Sequence, residues 1–103
     1  MSTFSVSFRI HQDSDRQRRY DTFVEQLESV GAGEYWAETT SFYFVKTAET
    51  IDAFCHRIYV HSGFNATKDM YVVMDTEVKA ARARGAIQYP ATLRSLVPFI
   101  VIQ

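Results

Sequence analysis

The first ten residues constrain this chain more than any other stretch. Phe4, Val6, Phe8 and Ile10 are apolar, and Ser5, Ser7 and Arg9 between them are polar. A period of two puts every second side chain on one face, which is the pattern of a half-buried strand. Its apolar face needs a second layer to cover it, and amphipathic helices supply that layer in mixed folds. Its polar face is left to solvent or to a partner.

Helical patterns follow. Asp13, Ser14 and Asp15 are N-cap residue types. Beyond them Tyr20, Phe23, Val24, Leu27 and Val30 trace one helical stripe, with Gly31 and Gly33 as the stop. The polar side of this helix carries Arg16, Arg18, Arg19, Asp21, Glu25 and Glu28. Residues 34–46 are rich in aromatics and threonine, so they read as two short strands, or one long strand bent at Thr39 and Thr40. Phe42/Phe44 and Tyr43/Val45 are both apolar pairs. A strand apolar on both faces is central, or its second face meets another chain.

Thr47 or Thr50 caps a second helix with the stripe Ile51, Phe54, Cys55 and Ile58, ended by Gly63. Residues 70–74 form a compact apolar strand. Asp75 and Thr76 are read as the cap of a short helix through Ala83, stopped at Gly85. Pro90 opens another short helical turn, Pro98 ends it, and residues 99–102 close the chain as a strand.

This order predicts one α+β domain over residues 1–103. It is a ferredoxin-like βαββαβ sandwich with an antiparallel sheet, two helices on one face and extra short helices before a C-terminal strand. A 103-residue domain buries roughly 60–65% of its unfolded surface. The open face, carrying Ser7, Arg9, Tyr43 and Val45, is too apolar to leave to water, and a homodimer that buries it is the expected solution.

Charge and cysteine usage narrow the function classes. The net charge is −1 and the pI about 6.3, so any basic surface for nucleic acid is local. Cys55 is alone. An internal disulfide is excluded and a reducing compartment is implied. The first residues lack a basic-then-apolar leader pattern, and no apolar run reaches the length of a membrane span. The expected location is cytoplasmic, with no membrane partner.

Short motifs add a resemblance. Val6-Ser7-Phe8-Arg9-Ile10 ends the first strand and an acidic cap with an arginine run follows, Asp13-Ser14-Asp15-Arg16-Gln17-Arg18-Arg19. Later Ser41-Phe42 opens a strand, and Asn65-Ala66-Thr67-Lys68-Asp69 leads into Met70-Tyr71-Val72-Val73. Together these resemble the small CRISPR-associated Cas-two proteins and the related VapD group over about three quarters of the chain. The resemblance implies a ferredoxin-like homodimer. It also implies either a magnesium- or manganese-dependent ribonuclease or deoxyribonuclease, or a structural subunit that holds DNA. In the family's nucleases an Asp near the end of the first strand shares a divalent metal with its copy in the partner. Arg9 stands at that position here. Magnesium takes oxygen ligands and arginine stays protonated, so the family's metal chemistry is missing.

The remaining candidates divide by charge. Arg9, Arg16, Arg18 and Arg19 are the candidate binding residues for a phosphate backbone, because three arginines crowd a helix start that prefers acids. Pairing of Asp15 with Arg19 along the helix is the competing explanation. His11, Asp13 and Asp15 are a candidate metal set displaced from the family's site; helix capping is the favoured explanation of the two carboxylates. Lys79, Arg82 and Arg84 form a second basic group suited to a helix C-terminus. Tyr35, Trp36, Phe42, Tyr43 and Tyr71 are candidates for base stacking, against core or dimer packing. Cys55 reads as an inert core thiol. The leading expectation is a non-catalytic homodimer with no resident cofactor that binds nucleic acid or a protein partner. The alternatives are a divalent-metal-dependent endonuclease and an antitoxin-like or regulatory interaction subunit.

Overall fold

The computed structural model describes residues 1–31 and 33–103. The elements run β1 (Ser2–Arg9), α1 (Arg16–Glu28), β2 (Glu34–Trp36), β3 (Phe42–Thr47) and α2 (Ile51–Val60). They continue with β4 (Met70–Asp75), β5 (Ala81–Gly85), α3 (Pro90–Leu96) and β6 (Ile100–Ile102). All six strands belong to one sheet in the order β2-β3-β1-β4-β5-β6. The domain is α+β. No helix among the described residues is long and apolar enough to cross a membrane.

The alternation of β1 decides the layering. β1 pairs antiparallel with β3 and β4, and Val6 stands opposite Tyr43 on one side and Val73 on the other. Directly opposed residues share a face. Phe4, Val6 and Phe8 therefore share theirs with Tyr43, Val45, Tyr71 and Val73, all buried. Both long helices cover this face. The Phe23 ring of α1 lies 5.0 Å from Phe8, and the Phe54 ring of α2 lies 5.2 Å from Phe4. Thr50 caps α2 as expected, its Oγ1 accepting from the Ala53 N–H at 3.1 Å. Asp15 holds the N-cap position of α1 but makes no side-chain cap bond.

Three expectations need correction. First, Tyr43 and Val45 do not belong to the open face. Pairing with Val6 and Phe4 turns them into the core, and Phe42 and Phe44 take the open side. Two apolar pairs on one strand leave this choice to the neighbouring strand. Second, residues 75–85 form a hairpin, with no helix. Asp75 Oδ1 accepts from the N–H groups of Glu77 (2.8 Å) and Val78 (3.3 Å), and the Asp75 N–H donates to Ala80 O (2.9 Å). That turn delivers β5. Its small residues Ala81 and Ala83 are buried on the face away from α1 and α2, and its long ones reach α2. Arg82 bonds Asp52 at 2.7 Å, and the Arg84 guanidinium sits 4.0 Å from the centre of the Tyr59 ring. Gly85 closes the strand at φ +112°, where a Cβ would meet Asp69 O at 1.9 Å. Third, the sheet is mixed, because β6 runs parallel to β5.

A parallel pair needs a crossover, and α3 is that crossover. Pro90 occupies its first turn, where the missing N–H costs nothing. Leu93 and Val97 pack on Ala81, Ala83 and Ile100 to make a second, smaller core. By the alternation of β4 and β5, this core lies on the face opposite α1 and α2. The second face is thus roofed over β5 and β6 and bare over β2, β3 and β1.

Candidate interface on the open sheet face

The bare floor is built from the outward residues of three strands. β1 contributes Thr3, Ser5, Ser7 and Arg9, β3 contributes Phe42, Phe44 and Lys46, and β2 contributes Glu34 and Trp36. Registration brings the aromatics together. Trp36 is opposite Phe44 with ring centres 5.9 Å apart, and Phe42 meets Phe44 edge-on at 4.9 Å. Trp36 and Phe44 remain 41% and 38% exposed. Exposed aromatics side by side on one sheet face make it a candidate interaction site. A shallow cleft of about 180 Å³ beside it is lined by Thr3, Glu34, Trp36, Phe44 and Lys46. Glu34 and Lys46 lie 4.0 Å apart and both are largely in solvent. That is a loose pair with little energy of its own. The Trp36 indole N–H donates to Glu38 at 2.6 Å.

Arg9 stands at the far end of this floor, exposed, with Nη2 3.3 Å from Ala86 O. Among the described residues it makes no ion pair with Glu34, Glu38 or Asp69. Ser7 beside it is also exposed. Of the four expected dimer-face residues, Ser7 and Arg9 are placed there, and Tyr43 and Val45 are not.

The arginine run has a different fate. Arg19 is 1% exposed and is withdrawn from the candidate binding set. Its Nε lies 3.0 Å from Asp69 Oδ2, its Nη1 2.8 Å from Asp13 Oδ1 and its Nη2 2.9 Å from the His11 carbonyl. The spacing Arg19–Phe23–Leu27 puts all three on one buried stripe of α1. Asp69 is fully buried and also accepts the N–H groups of His11 (2.8 Å) and Asn65 (3.0 Å). This cluster ties the segment after β1 to the segment before β4. Asp13 and Asp69 hold the Arg19 guanidinium charged and push its pKa up. Arg18 turns to Asp15 at 2.8 Å. Half-buried Arg16 lies 4.7 Å above the Tyr20 ring.

The carboxylates of the candidate metal set are engaged by cationic side chains instead, and Arg19 Nη1 lies within reach of both Asp13 (2.8 Å) and Asp15 (3.6 Å). The oxygens of Asp13 accept from Arg19 and from Lys68 (2.9 Å), which holds its carboxyl well below the usual carboxylate range. Asp15 is lowered by its bond to Arg18. The His11 side chain is exposed and only its backbone joins the cluster. Among the described residues, no three His, Cys, Asp or Glu side chains group as metal ligands.

The other candidates are mostly structural. Arg82 and Arg84 are spent on α2 and β4, so they form no basic patch. Tyr71 is buried beneath both helices. Cys55 is buried, and burial pushes its thiol up to about 12. The residues missed from sequence are Phe44 as an outward group, and Arg19 and Asp69 as a buried pair. The stripe spacing of Arg19 is the one signal that pointed there. No family model, curated protein or solved structure matches the chain.

Proposed function

We propose that this chain is a non-catalytic binding domain of the Cas-two and VapD type, working as a homodimer closed over its open sheet face. The observation that carries the reading is the Trp36–Phe44–Phe42 row, in which Trp36 and Phe44 are exposed and Phe42 is half-buried. A standard interface takes about 800 Å² from each partner, and the chain has 5919 Å² to draw on. A ferredoxin-like core fits this reading. The run β2-β3-β1-β4 within the six-stranded sheet supports such a core. Arg9 in place of a carboxylate, and Asp13 spent on Arg19 and Lys68, support a binding role over a cutting one.

Nucleic acid is the partner favoured for this dimer, because among the described residues Arg9 and Arg16 form no ion pair with a carboxylate. A protein partner, as for an antitoxin-like subunit, is the second reading. The size of the purified protein by light scattering at micromolar concentration tests the dimer, and a monomeric mass refutes it. Incubation with RNA and DNA, with magnesium, manganese or chelator, tests the rest. Salt-sensitive binding that Arg9→Ala plus Arg16→Ala weakens supports the nucleic-acid reading. Metal-dependent cleavage abolished by His11→Ala overturns the non-catalytic one. His11 is the cleaner probe, since Asp13→Ala also removes a structural bond.

A further inference from the structure

The bare floor carries opposite charges on its two flanks. Arg9 stands on the β1 flank, and Glu34 and Glu38 stand on the β2 flank. Glu38 is exposed, and its Oε2 accepts the Trp36 indole N–H, which holds the carboxylate beside the aromatic row. Arg9 is exposed and is held only by the Ala86 carbonyl at 3.3 Å. Among the described residues neither Arg9 nor Glu38 has an ion-pair partner in its own chain. Two opposite charges without partners frame one aromatic surface.

An isologous interface lays a patch on a copy of itself, so the two-fold axis passes through the centre of the patch. The floor is three strands wide and β3 is its middle strand. An axis across the strands there keeps each flank on its own kind, acid over acid. It also brings α3 over α3, and two helices of ~10 Å each hold the sheets apart. An axis along β3 exchanges the flanks, so that β1 of each copy lies over β2 of the other. α3 packs over β5 and β6, the third and fourth strands from β3. At ~4.8 Å per strand it passes outside the second copy's β2 edge. The sheets are then free to approach to ~10 Å, the spacing of packed sheets.

The registers give the contacts. Trp36, Phe44 and Ser5 stand at one level, and an axis along the strands preserves level. Phe44 meets its own counterpart, and Trp36 lies over the second copy's Ser5. β1 and β2 run in the same direction, both antiparallel to β3. Arg9 lies four residues past Ser5 and Glu38 two past Trp36, a difference in level of ~7 Å at ~3.3 Å per residue. Two long side chains span that offset between packed sheets. The two Lys46 residues meet near the axis, each balanced by its own Glu34 and by the second copy's Glu34 at the same level.

We infer that two copies pair about an axis running along β3, with Arg9 of each bonded to Glu38 of the other across the aromatic row. This rests on the homodimer reading above and adds the axis and the charged contacts. In it Arg9 supports nucleic-acid binding by holding the dimer, and Arg16, in the helix layer, stays free of the interface.

Charge reversal tests it, read as the dimer dissociation constant by ultracentrifugation. Arg9→Glu and Glu38→Lys each bring like charges together twice per dimer, and each is expected to raise the constant about tenfold or more. Mixed one to one, they form a heterodimer in which both pairs are again opposite in sign, and its constant returns to near the wild-type value. If a reversal loses its folded circular dichroism spectrum, Arg9→Gln and Glu38→Gln take its place. Each then weakens the dimer, and the double variant weakens it no more than the larger single effect; additive losses refute the pairing. A reversal that leaves the constant unchanged, or a mixture no tighter than its components, refutes this arrangement and leaves the homodimer standing. Wild-type protein that stays monomeric refutes both.

Discussion

Replacing Arg19 with methionine is expected to cost the domain a large part of its stability. The side chain is of similar length and fits the stripe beside Phe23, so lost packing is minor. What changes is the company of Asp69, a fully buried carboxylate bonded by two nitrogens of Arg19. Breaking a buried pair by removing one partner costs about 3–5 kcal/mol. Asp69 keeps two backbone N–H bonds, from His11 and Asn65, which places the loss near ~3 kcal/mol. A domain of this length holds about 5–15 kcal/mol in total, so between a fifth and over half of it disappears. Urea unfolding followed by circular dichroism measures this directly. With a slope of about 1.5 kcal/mol/M, the midpoint falls by ~2 M. Adding Asp69→Asn to Arg19→Met should restore part of the loss, since the buried charge is removed and the amide oxygen still accepts one of the two N–H bonds, although its NH2 group cannot accept the other. A shift below ~1 kcal/mol for Arg19→Met, or a double variant worse than the sum of the singles, would refute the argument that the pair is the clamp.

Acid should unfold the protein through the same kind of group. Asp13, Asp15, Glu49 and Asp52 are held below their ordinary values by bonds to Arg19, Arg18, Arg57 and Arg82 in turn. Their stabilisation is full above the unfolded carboxylate range near ~4 and is lost as pH falls below it; a flat denaturation midpoint between pH 5 and 2.5 contradicts this. Cys55, with its thiol pushed up to about 12 by burial, should react with a thiol reagent only as fast as the domain opens. Labelling at a free thiol's rate in native buffer opposes that. Trp36 is the single tryptophan and is 41% exposed, so its emission should shift to the blue as protein concentration rises through the dimer dissociation constant. An unchanged spectrum across a proven monomer–dimer transition places the interface elsewhere.

The first strand and the two long helices were legible because each carries a clean period on a single apolar face. Ambiguity began where a segment satisfied two patterns. Phe42 to Val45 is apolar on both faces, and only pairing with β1, far away in sequence, decides which face is the core. Residues 81–84 alternate alanine with arginine, but alanine and arginine are also strong helix formers, so local propensity outvoted a real period of two. Arg19 was misplaced by its charge. Its position four residues before Phe23 put it on the buried stripe, and its partner Asp69 came from a segment that no local pattern connects to it. The open face as a candidate site was visible in the serines of β1; its aromatic floor was not.

The central place of β1 sets the order in which this fold can assemble. Its two neighbours are β3 and β4, and neither follows it closely in the chain; Phe4 finds its second partner in Asp75. A chain synthesised at about 5–20 residues per second leaves that strand half-paired for several seconds. Throughout that interval Phe4, Val6 and Phe8 lack part of their cover. Substitutions in the turn before β4, such as at Asn65 or Asp69, should therefore lower the yield of folded protein in cells more than their equilibrium cost implies, by lengthening the time the first strand waits.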